Sequence, residues 1–232
     1  MGFENCKLKI MNLFIVATPI GNLKDITLRA LEILKSVDLI LAEDTRVTSK
    51  LLSHYKIQKP LKTYHEHSGE RVCQEIKAML EQGKNIALVT DAGTPGIADP
   101  AGKLIQFIRQ NLPAIKIVPI PGPSALITAL SVAGIPTNRF TFLGYPPHKK
   151  GRQTFFAKFA KIKIKPIVFY ESRYRLQKAL DNLAAVFESQ KEIIIASELT
   201  KMFEDIFQGN IAEAKKYFVG KKGKGEFVII VP

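Results

Sequence analysis

The chain has 232 residues, 46% hydrophobic and 24% charged, a globular balance that excludes disorder as the main state and fits one large domain or two small ones. Its apolar runs are strand-sized, so no segment is expected to span a bilayer, and residues 1–10 lack the apolar stretch of a secretory signal. Lys and Arg total 34 against 21 Asp and Glu, a net charge of +13, which directs attention to anionic partners. That charge is uneven: residues 1–145 hold 17 basic and 12 acidic side chains (+5), and residues 146–232 hold 17 and 9 (+8). Cys6 stands where a myristoylation signal at Gly2 wants Ser or Thr. Cys6 and Cys73 form no CxxC or zinc spacing, so buried or idle thiols in a reducing cytoplasm are expected, with Cys73 packed on its amphipathic helix.

Residues 13–18 (LFIVAT) read as a strand buried on both faces, ending in Pro19-Ile20-Gly21-Asn22. Asp25 is placed to cap a helix carrying Leu28, Leu31, Ile33 and Leu34. A second strand, 38–42, ends in Glu43-Asp44-Thr45-Arg46, and a helix follows through Leu51 and Leu52. Ser68 is placed to cap the next helix, with Val72, Ile76, Met79 and Leu80 on one face and Gly83 as its stop. Residues 86–90 form a third strand, Asp99-Pro100 has the form of an N-cap and a first-turn proline, and 115–120 form a fourth strand. This βαβ rhythm predicts a mainly parallel sheet covered by helices.

A second unit begins at Pro121-Gly122-Pro123-Ser124, so the expected domains are 12–121 and 122–232. Ser124 is placed to cap a helix over 125–133. Strands are expected over 140–145, 167–171, 192–197, 201–208 and 226–231, with helices near 173–188 and 211–218. Residues 202–208 alternate apolar and polar, which favours a half-exposed antiparallel strand and a mixed sheet. From His148 to Lys165 there are seven basic residues and no acid: Lys149, Lys150, Arg152, Lys158, Lys161, Lys163 and Lys165. Such a run attracts phosphates or simply keeps a surface solvated. Phe155, Phe156 and Phe159 have helical spacing and read as the apolar face of a helix rather than a stacking platform. Lys221-Lys222-Gly223-Lys224-Gly225 reads as a solvated loop.

Polar, turn-forming clusters sit where strands end: residues 18–22, 43–46, 91–99 and 121–124. Open α/β sheets bind ligands beyond the carboxyl ends of their strands, so these clusters point to a ligand cleft. No GxGxxG and no GxxxxGK[ST] is present, and loop 91–99 has two carboxylates and no basic residue. That suits a neutral or cationic ligand, or a zwitterion with a positive centre, better than a triphosphate. His65-Glu66-His67 has the form of a metal half-site but lacks a third ligand at a recognisable spacing, so no metal is expected. No Gly-x-Ser-x-Gly supports nucleophilic hydrolysis.

The segments LFIVATPIGNLKDITLRALEILKSVDLILAEDTR, YHEHS, ALVTDAGTPGIADPAG and PIPGPSALITAL closely resemble the tetrapyrrole-methylase superfamily. Within it they resemble the ribosomal RNA small-subunit methyltransferase I branch, and RFTFLGYPP, IVFYES, ASELTK and GEFVIIV follow in the expected order to the end of the chain. The resemblance implies two α/β domains of the class III, tetrapyrrole-methylase-like type, S-adenosylmethionine in a cleft between them, and a homodimer. It implies 2′-O-methylation of a cytidine in the decoding region of small-subunit (16S) ribosomal RNA. By position it implies donor contacts at Ile20, Asp91, Gly93, Thr94, Pro95, Ile97, Ala98, Asp99, Ser124, Ala125, Tyr170, Glu198 and Leu199. Lys149, Lys150 and Arg152 are then expected to meet RNA phosphates. Two departures stand out. Ser172-Arg173-Tyr174-Arg175 replaces the usual Ser-Pro-His-Arg, which leaves local contacts open, and the sequence stops at Pro232 without the C-terminal segment of longer relatives, so RNA binding is expected to rely on the two-domain body.

Methyl transfer from a sulfonium is an in-line displacement on an already activated donor. Positioning supplies about 7–11 kcal/mol and a general base about 10²–10⁴-fold, so placement should dominate. Asn22, Glu43, Asp44, Arg46 and His65 are the candidates to orient or deprotonate the hydroxyl, and Asp44 and Arg46 can equally be paired with each other. Two rival readings remain: a methyltransferase of tetrapyrroles or other small molecules, and a non-enzymatic RNA-binding protein with a relict cleft.

Overall fold

The computed structural model describes residues 12–220 and 225–232. The chain start with Gly2 and Cys6, and residues 221–224 of the basic loop, lie outside the described residues. The chain divides into two compact units after Ser124, three residues beyond the boundary at Pro121 read from the sequence.

The first unit follows the βαβ rhythm. β1 (Asn12–Val16) leads to α1 (Leu28–Ser36), β2 (Leu39–Ala42), α2 (Thr45–His54), β3 (Leu61–Thr63), α3 (Glu70–Glu81), β4 (Ile86–Leu88), α4 (Ala101–Asn111) and β5 (Lys116–Ile120). The strands lie in the order β3-β2-β4-β1-β5, and every pair is parallel. Alternation decides the faces. Leu13, Ile15, Leu39, Leu41, Ile86 and Leu88 join Ile76, Leu80, Leu104 and Ile108 of α3 and α4. Val16, Ile40, Ala42, Ala87 and Ile120 join Ala30, Leu34, Leu51 and Leu52 of α1 and α2. The connections from β1 and β2 move one way across the sheet, and those from β3 and β4 move the other. Right-handed crossovers must therefore change face between them. The loops leaving β4 and its neighbours β1 and β2 diverge to opposite faces, which makes both sides of β4 a topological switch point.

Three local expectations of this unit are corrected. Thr27, not Asp25, caps α1, by accepting the Ala30 N–H; Asp25 lies in a short 3-10 turn that Asn22 caps. Gly69 occupies the cap position of α3, while the Ser68 hydroxyl accepts the His65 N–H at 3.0 Å. Pro100 holds the cap position of α4, but Asp99 still accepts the Ala101 N–H at 2.8 Å. The edge strand β3 was not anticipated, because three half-exposed residues carry no periodicity.

The second unit comprises α5 (Ala125–Ser131), β6 (Thr141–Phe142), α6 (Arg152–Ala157), β7 (Ile167–Ser172), α7 (Leu176–Phe187), β8 (Glu192–Ser197), β9 (Asp205–Asn210), α8 (Ile211–Tyr217) and β10 (Glu226–Val231). The sheet order is β6-β7-β10-β8-β9; β6 and β7 are parallel and the other pairs antiparallel. Ile167, Phe169, Ile193, Ile195, Phe227, Ile229 and Val231 form one face and pack on Phe156, Phe159, Leu180, Leu183 and Ile211. The phenylalanine spacing is thus resolved as core. α5 packs on β10 from within the same unit.

Two expected strands of this unit are shorter than the sequence suggested. Only Thr141–Phe142 of 140–145 is regular strand, since Gly144 turns left-handed at φ 62°. Residues 201–204 form a turn rather than the start of β9: Glu198 and Thr200 have φ of 48° and 66°, and the Glu204 carboxylate accepts the Thr200 N–H. Met202 and Phe203 are accordingly exposed.

Candidate active site and basic surface

The strand ends of the first unit are joined by hydrogen bonds at the switch point. Thr18, just past β1, exchanges both backbone hydrogen bonds with Gly93, at 2.9 and 3.0 Å. Its hydroxyl also donates to Thr90 O at 3.0 Å. Gly93 has φ 85°, a left-handed conformation that a Cβ would strain, and Ile20 lies 3.5 Å from where that Cβ would stand. The Thr94 hydroxyl donates to Pro123 O at 3.0 Å, tying the loop after β4 to the one after β5. Asp99 accepts the Gly96 N–H on both oxygens, at 2.9 and 2.8 Å, and so shapes loop 91–99 from within. Ala98 is left-handed at φ 63°. Pro95 is buried and Ala98 is exposed, and Ile97 is 45% exposed, an uncovered apolar side chain on an otherwise polar rim.

The acids of this rim converge. Asp91 Oδ1 accepts the Asp44 N–H at 2.9 Å, and Glu43 Oε2 accepts the Thr90 hydroxyl at 2.7 Å. Partial desolvation pushes the Asp91 carboxyl up, the Asp44 N–H opposes this, and the charges of Glu43 and Asp44 add to the rise. Asp44 behaves in the opposite way: it accepts from the Arg46 guanidinium and from the Arg46 N–H, which hold it at about 2. It caps α2 and pairs with Arg46 at 2.6 Å, so the structural alternative for these two residues is realised. The structure therefore brings Glu43, Asp44, Arg46 and Asp91 together. Asn22 lies in the loop after β1 and caps its turn. His65 follows β3 in an exposed turn; its Nδ1 accepts the His67 N–H at 3.1 Å, which places the proton of the neutral ring on Nε2. Among the described residues, no group of three His, Cys, Asp or Glu is arranged to hold a metal.

In the second unit the Tyr170 hydroxyl accepts the Leu126 N–H in the first turn of α5, at 3.2 Å. Burial pushes the Tyr170 phenol up, and its ring packs on Phe142 and Tyr145. Leu199 is buried, and Glu198 pairs with Lys201 at 3.1 Å. The basic segment divides in two. Lys149 and Lys150 are exposed. Arg152 is only 2% exposed, and its assignment to RNA phosphates is corrected. Its guanidinium donates to Glu171 Oε2 at 2.5 Å, to Asn182 Oδ1 at 3.1 Å and to Pro147 O at 3.3 Å, and it lies over the Phe156 ring. Glu171 is fully buried and takes a second cation, Arg175, at 2.8 Å. Arg175 in turn contacts the His148 ring.

The model of the Tetrapyrrole (Corrin/Porphyrin) Methylases matches residues 12–215. The chain belongs to that family. Among its relatives, the protein named ribosomal RNA small subunit methyltransferase I of Escherichia coli O157:H7 is 45% identical over 222 residues, covering 94% of this chain and 77% of that protein. The protein of the same name from Thermotoga maritima is 42% identical over 219 residues, covering 94% of this chain and 97% of that one. Among solved structures, the methyltransferase CobJ superposes with a TM-score of 0.70 at 16% identity, covering 94% of this chain and 93% of that one. The uroporphyrin-III-C-methyltransferase from Thermus thermophilus superposes at 0.66 and 16% identity, covering 95% and 94%. At that identity the two structures establish a shared fold.

Several residues of this tetrapyrrole methylase fold were not singled out in the sequence. Thr18 entered only as the first residue of the strand-end cluster 18–22 and Thr90 only as the end of a strand, since their roles are set by which loops meet. Glu171 did carry one. It shares strand parity with Ile167 and Phe169, which places its carboxylate on the helix-covered face, where a buried charge requires a cation.

Proposed function

We propose that this protein methylates the ribose 2′-hydroxyl of a cytidine in the decoding region of small-subunit ribosomal RNA, with S-adenosylmethionine as donor. The observation that carries the reading is identity of 42–45% across 94% of the chain to proteins named ribosomal RNA small subunit methyltransferase I. The rim around β4 supports it: an acidic loop with an uncovered Ile97 suits a donor that combines a cationic centre with an apolar body. Asp91 meets the positive end in this reading, and Ile20, Gly93, Pro95, Ile97 and Ala98 line the contact, with Thr94 and Asp99 holding the loop in shape. The donor-binding roles of Ser124, Ala125, Tyr170, Glu198 and Leu199 belong to the same proposal.

When bound, S-adenosylmethionine supplies a methyl group already activated on a sulfonium. The chain's own task is to hold the hydroxyl in line with that methyl and to accept or relay its proton. Glu43, fixed by Thr90, is the best-placed carboxylate on the rim to act on the hydroxyl, since Asp44 is committed to Arg46 and the α2 cap. Arg46, 87% exposed at its side chain, is free to meet RNA while still paired with Asp44. Asn22 and His65 are proposed to position the substrate from the flanking loops. Lys149 and Lys150 supply phosphate contacts. The protein acts in the cytoplasm as a homodimer in this proposal; no helix among the described residues is long and apolar enough to cross a membrane.

Labelled S-adenosylmethionine offered with isolated small-subunit particles, free 16S RNA and a uroporphyrin-type tetrapyrrole tests the reading. Label entering the RNA, and none entering the tetrapyrrole, is expected. Label in the tetrapyrrole alone would establish the small-molecule rival, and donor binding without transfer to any substrate would favour the relict.

A further inference from the structure

The second unit contains a cavity of about 240 Å³ lined by Lys149, Gly151, Arg152, Gln153, Thr154, Lys178 and Asn182. We propose that this cavity is a subsite for one backbone phosphate of the RNA substrate, with Lys149 and Lys178 as its cations. The proposal rests on the RNA-methyltransferase reading and adds a residue, Lys178, that the basic run 148–165 does not contain.

The lining favours a small anion. No carboxylate and no apolar side chain is among the lining residues, whereas pockets for drug-sized molecules are mostly apolar and about 300–1,000 Å³. Two ammonium groups, the amides of Gln153 and Asn182 and the Thr154 hydroxyl suit a small anion. The nearby acids are already engaged. Glu171 is held by Arg152 and Arg175, and Asp181 by Lys215 at 2.6 Å. Among the described residues neither Lys149 nor Lys178 takes part in an ion pair. Two unpaired cations on one cavity repel each other, and an anion between them removes that repulsion.

The cavity is held in shape by a buried charge on its lining, Arg152, whose guanidinium donates to three protein groups. Arg152 joins three elements: Pro147 O in the loop, Asn182 on α7 and Glu171 on β7. Lys178 and Asn182 are four residues apart on α7 and share a face. The contact that fixes Asn182 to Arg152 therefore fixes the wall carrying Lys178. Gly151, at φ 83°, makes the left-handed turn that carries the loop from Lys149 into α6. Arg152 is thus a positioning residue, and Lys149 and Lys178 are the binding residues.

The test is the salt dependence of binding to 16S RNA for the full chain, comparing wild type, Lys149→Ala, Lys178→Ala, the double variant, Lys178→Arg, and Lys35→Ala on the other unit as control. Both lysines are exposed, so thermal midpoint and S-adenosylmethionine affinity should stay at wild-type values. The double variant should lower RNA affinity and flatten the log–log salt slope by about 0.7–0.9, the value of one phosphate. Lys178→Arg should restore most of the affinity, and Lys35→Ala should change nothing. A slope unchanged in the double variant, while wild type binds and methylates RNA, would overturn the subsite and leave the methyltransferase reading standing. A loss of twice that slope would place the lysines on separate phosphates and overturn the shared cavity. Failure of the wild type to bind or methylate the RNA would overturn both.

Discussion

The acidic rim of the first unit and the basic segment of the second show two ways in which neighbouring charges are disposed. On the rim, Glu43, Asp44 and Asp91 stay at or near the surface, and their contacts are with a hydroxyl, with backbone N–H groups and with the exposed Arg46. In the second unit, Lys149, Lys150 and Arg152 lie within four residues, yet the lysines remain in solvent and the arginine enters the core. The difference lies in what each charge meets. A carboxylate on the inward parity of β7 must be neutralised, and guanidinium, with its planar fork of donors, can satisfy Glu171, Asn182 and Pro147 together. A charge run in a sequence is therefore not one functional unit; the strand parity of its partners divides it into structure and surface.

The sharpest way to break this comparison is to remove Arg152. Arg152→Ala leaves Glu171 buried with one cation and should destabilise the protein by about 3–5 kcal/mol, while Lys149→Ala should stay within about 0.5 kcal/mol of wild type. Chemical denaturation measures both, and equal effects would show that Arg152 is not structural. The rim should respond in binding rather than in stability. Asp91→Asn keeps an oxygen to accept the Asp44 N–H and removes the charge, so donor affinity measured by calorimetry should fall about tenfold or more, the worth of a charge-assisted contact. Unchanged affinity would remove Asp91 from the donor site.

Gly93→Ala combines the two behaviours. It forces φ 85° on a residue with a Cβ beside Ile20, costing about 1–2 kcal/mol, and it should weaken the donor because loop 91–99 shifts with it. A variant with lower thermal midpoint and wild-type donor affinity would confine Gly93 to the fold. The smallest effect is the pH dependence of Asp91. Its folded-state carboxyl is raised by desolvation above its unfolded value. The penalty is then absent below the unfolded value and fully present once pH exceeds the raised folded one. Asp91→Asn should be slightly more stable than wild type at neutral pH, with the gap closing as pH falls through the carboxylate range; a gap that widens on acidification would contradict the assignment.

Much of the first unit was legible because its central strands are buried on both faces and its helices are amphipathic: β1, β2 and β4 lie where apolar runs place them, and the half-buried β5 lies at the last such run. Strand β8 and strand β10 were read to the residue for the same reason. Caps were less legible. Asp25 and Ser68 have the right chemistry, but Thr27 and Gly69 hold the positions from which the helices start. The start of β9 was obscured because 202–208 alternates in hydrophobicity through a segment that two left-handed residues bend into a turn. At the site, the strand-end clusters were legible as a group, whereas the roles within them were not. Whether Asp99 faces a ligand or its own loop depends on the path of residues 96–101, and Arg152 on the parity of a strand nineteen residues away.

The central claim is the identity of the methylated atom. Small-subunit RNA from particles incubated with the protein and S-adenosylmethionine, mapped for ribose methylation nucleotide by nucleotide, tests it most directly. A single new 2′-O-methyl group on a cytidine of the decoding region is the expected result, absent without the protein and lost with Glu43→Ala at wild-type thermal midpoint. A methyl group on a base, on another region of the RNA, or on no nucleotide at all would contradict it.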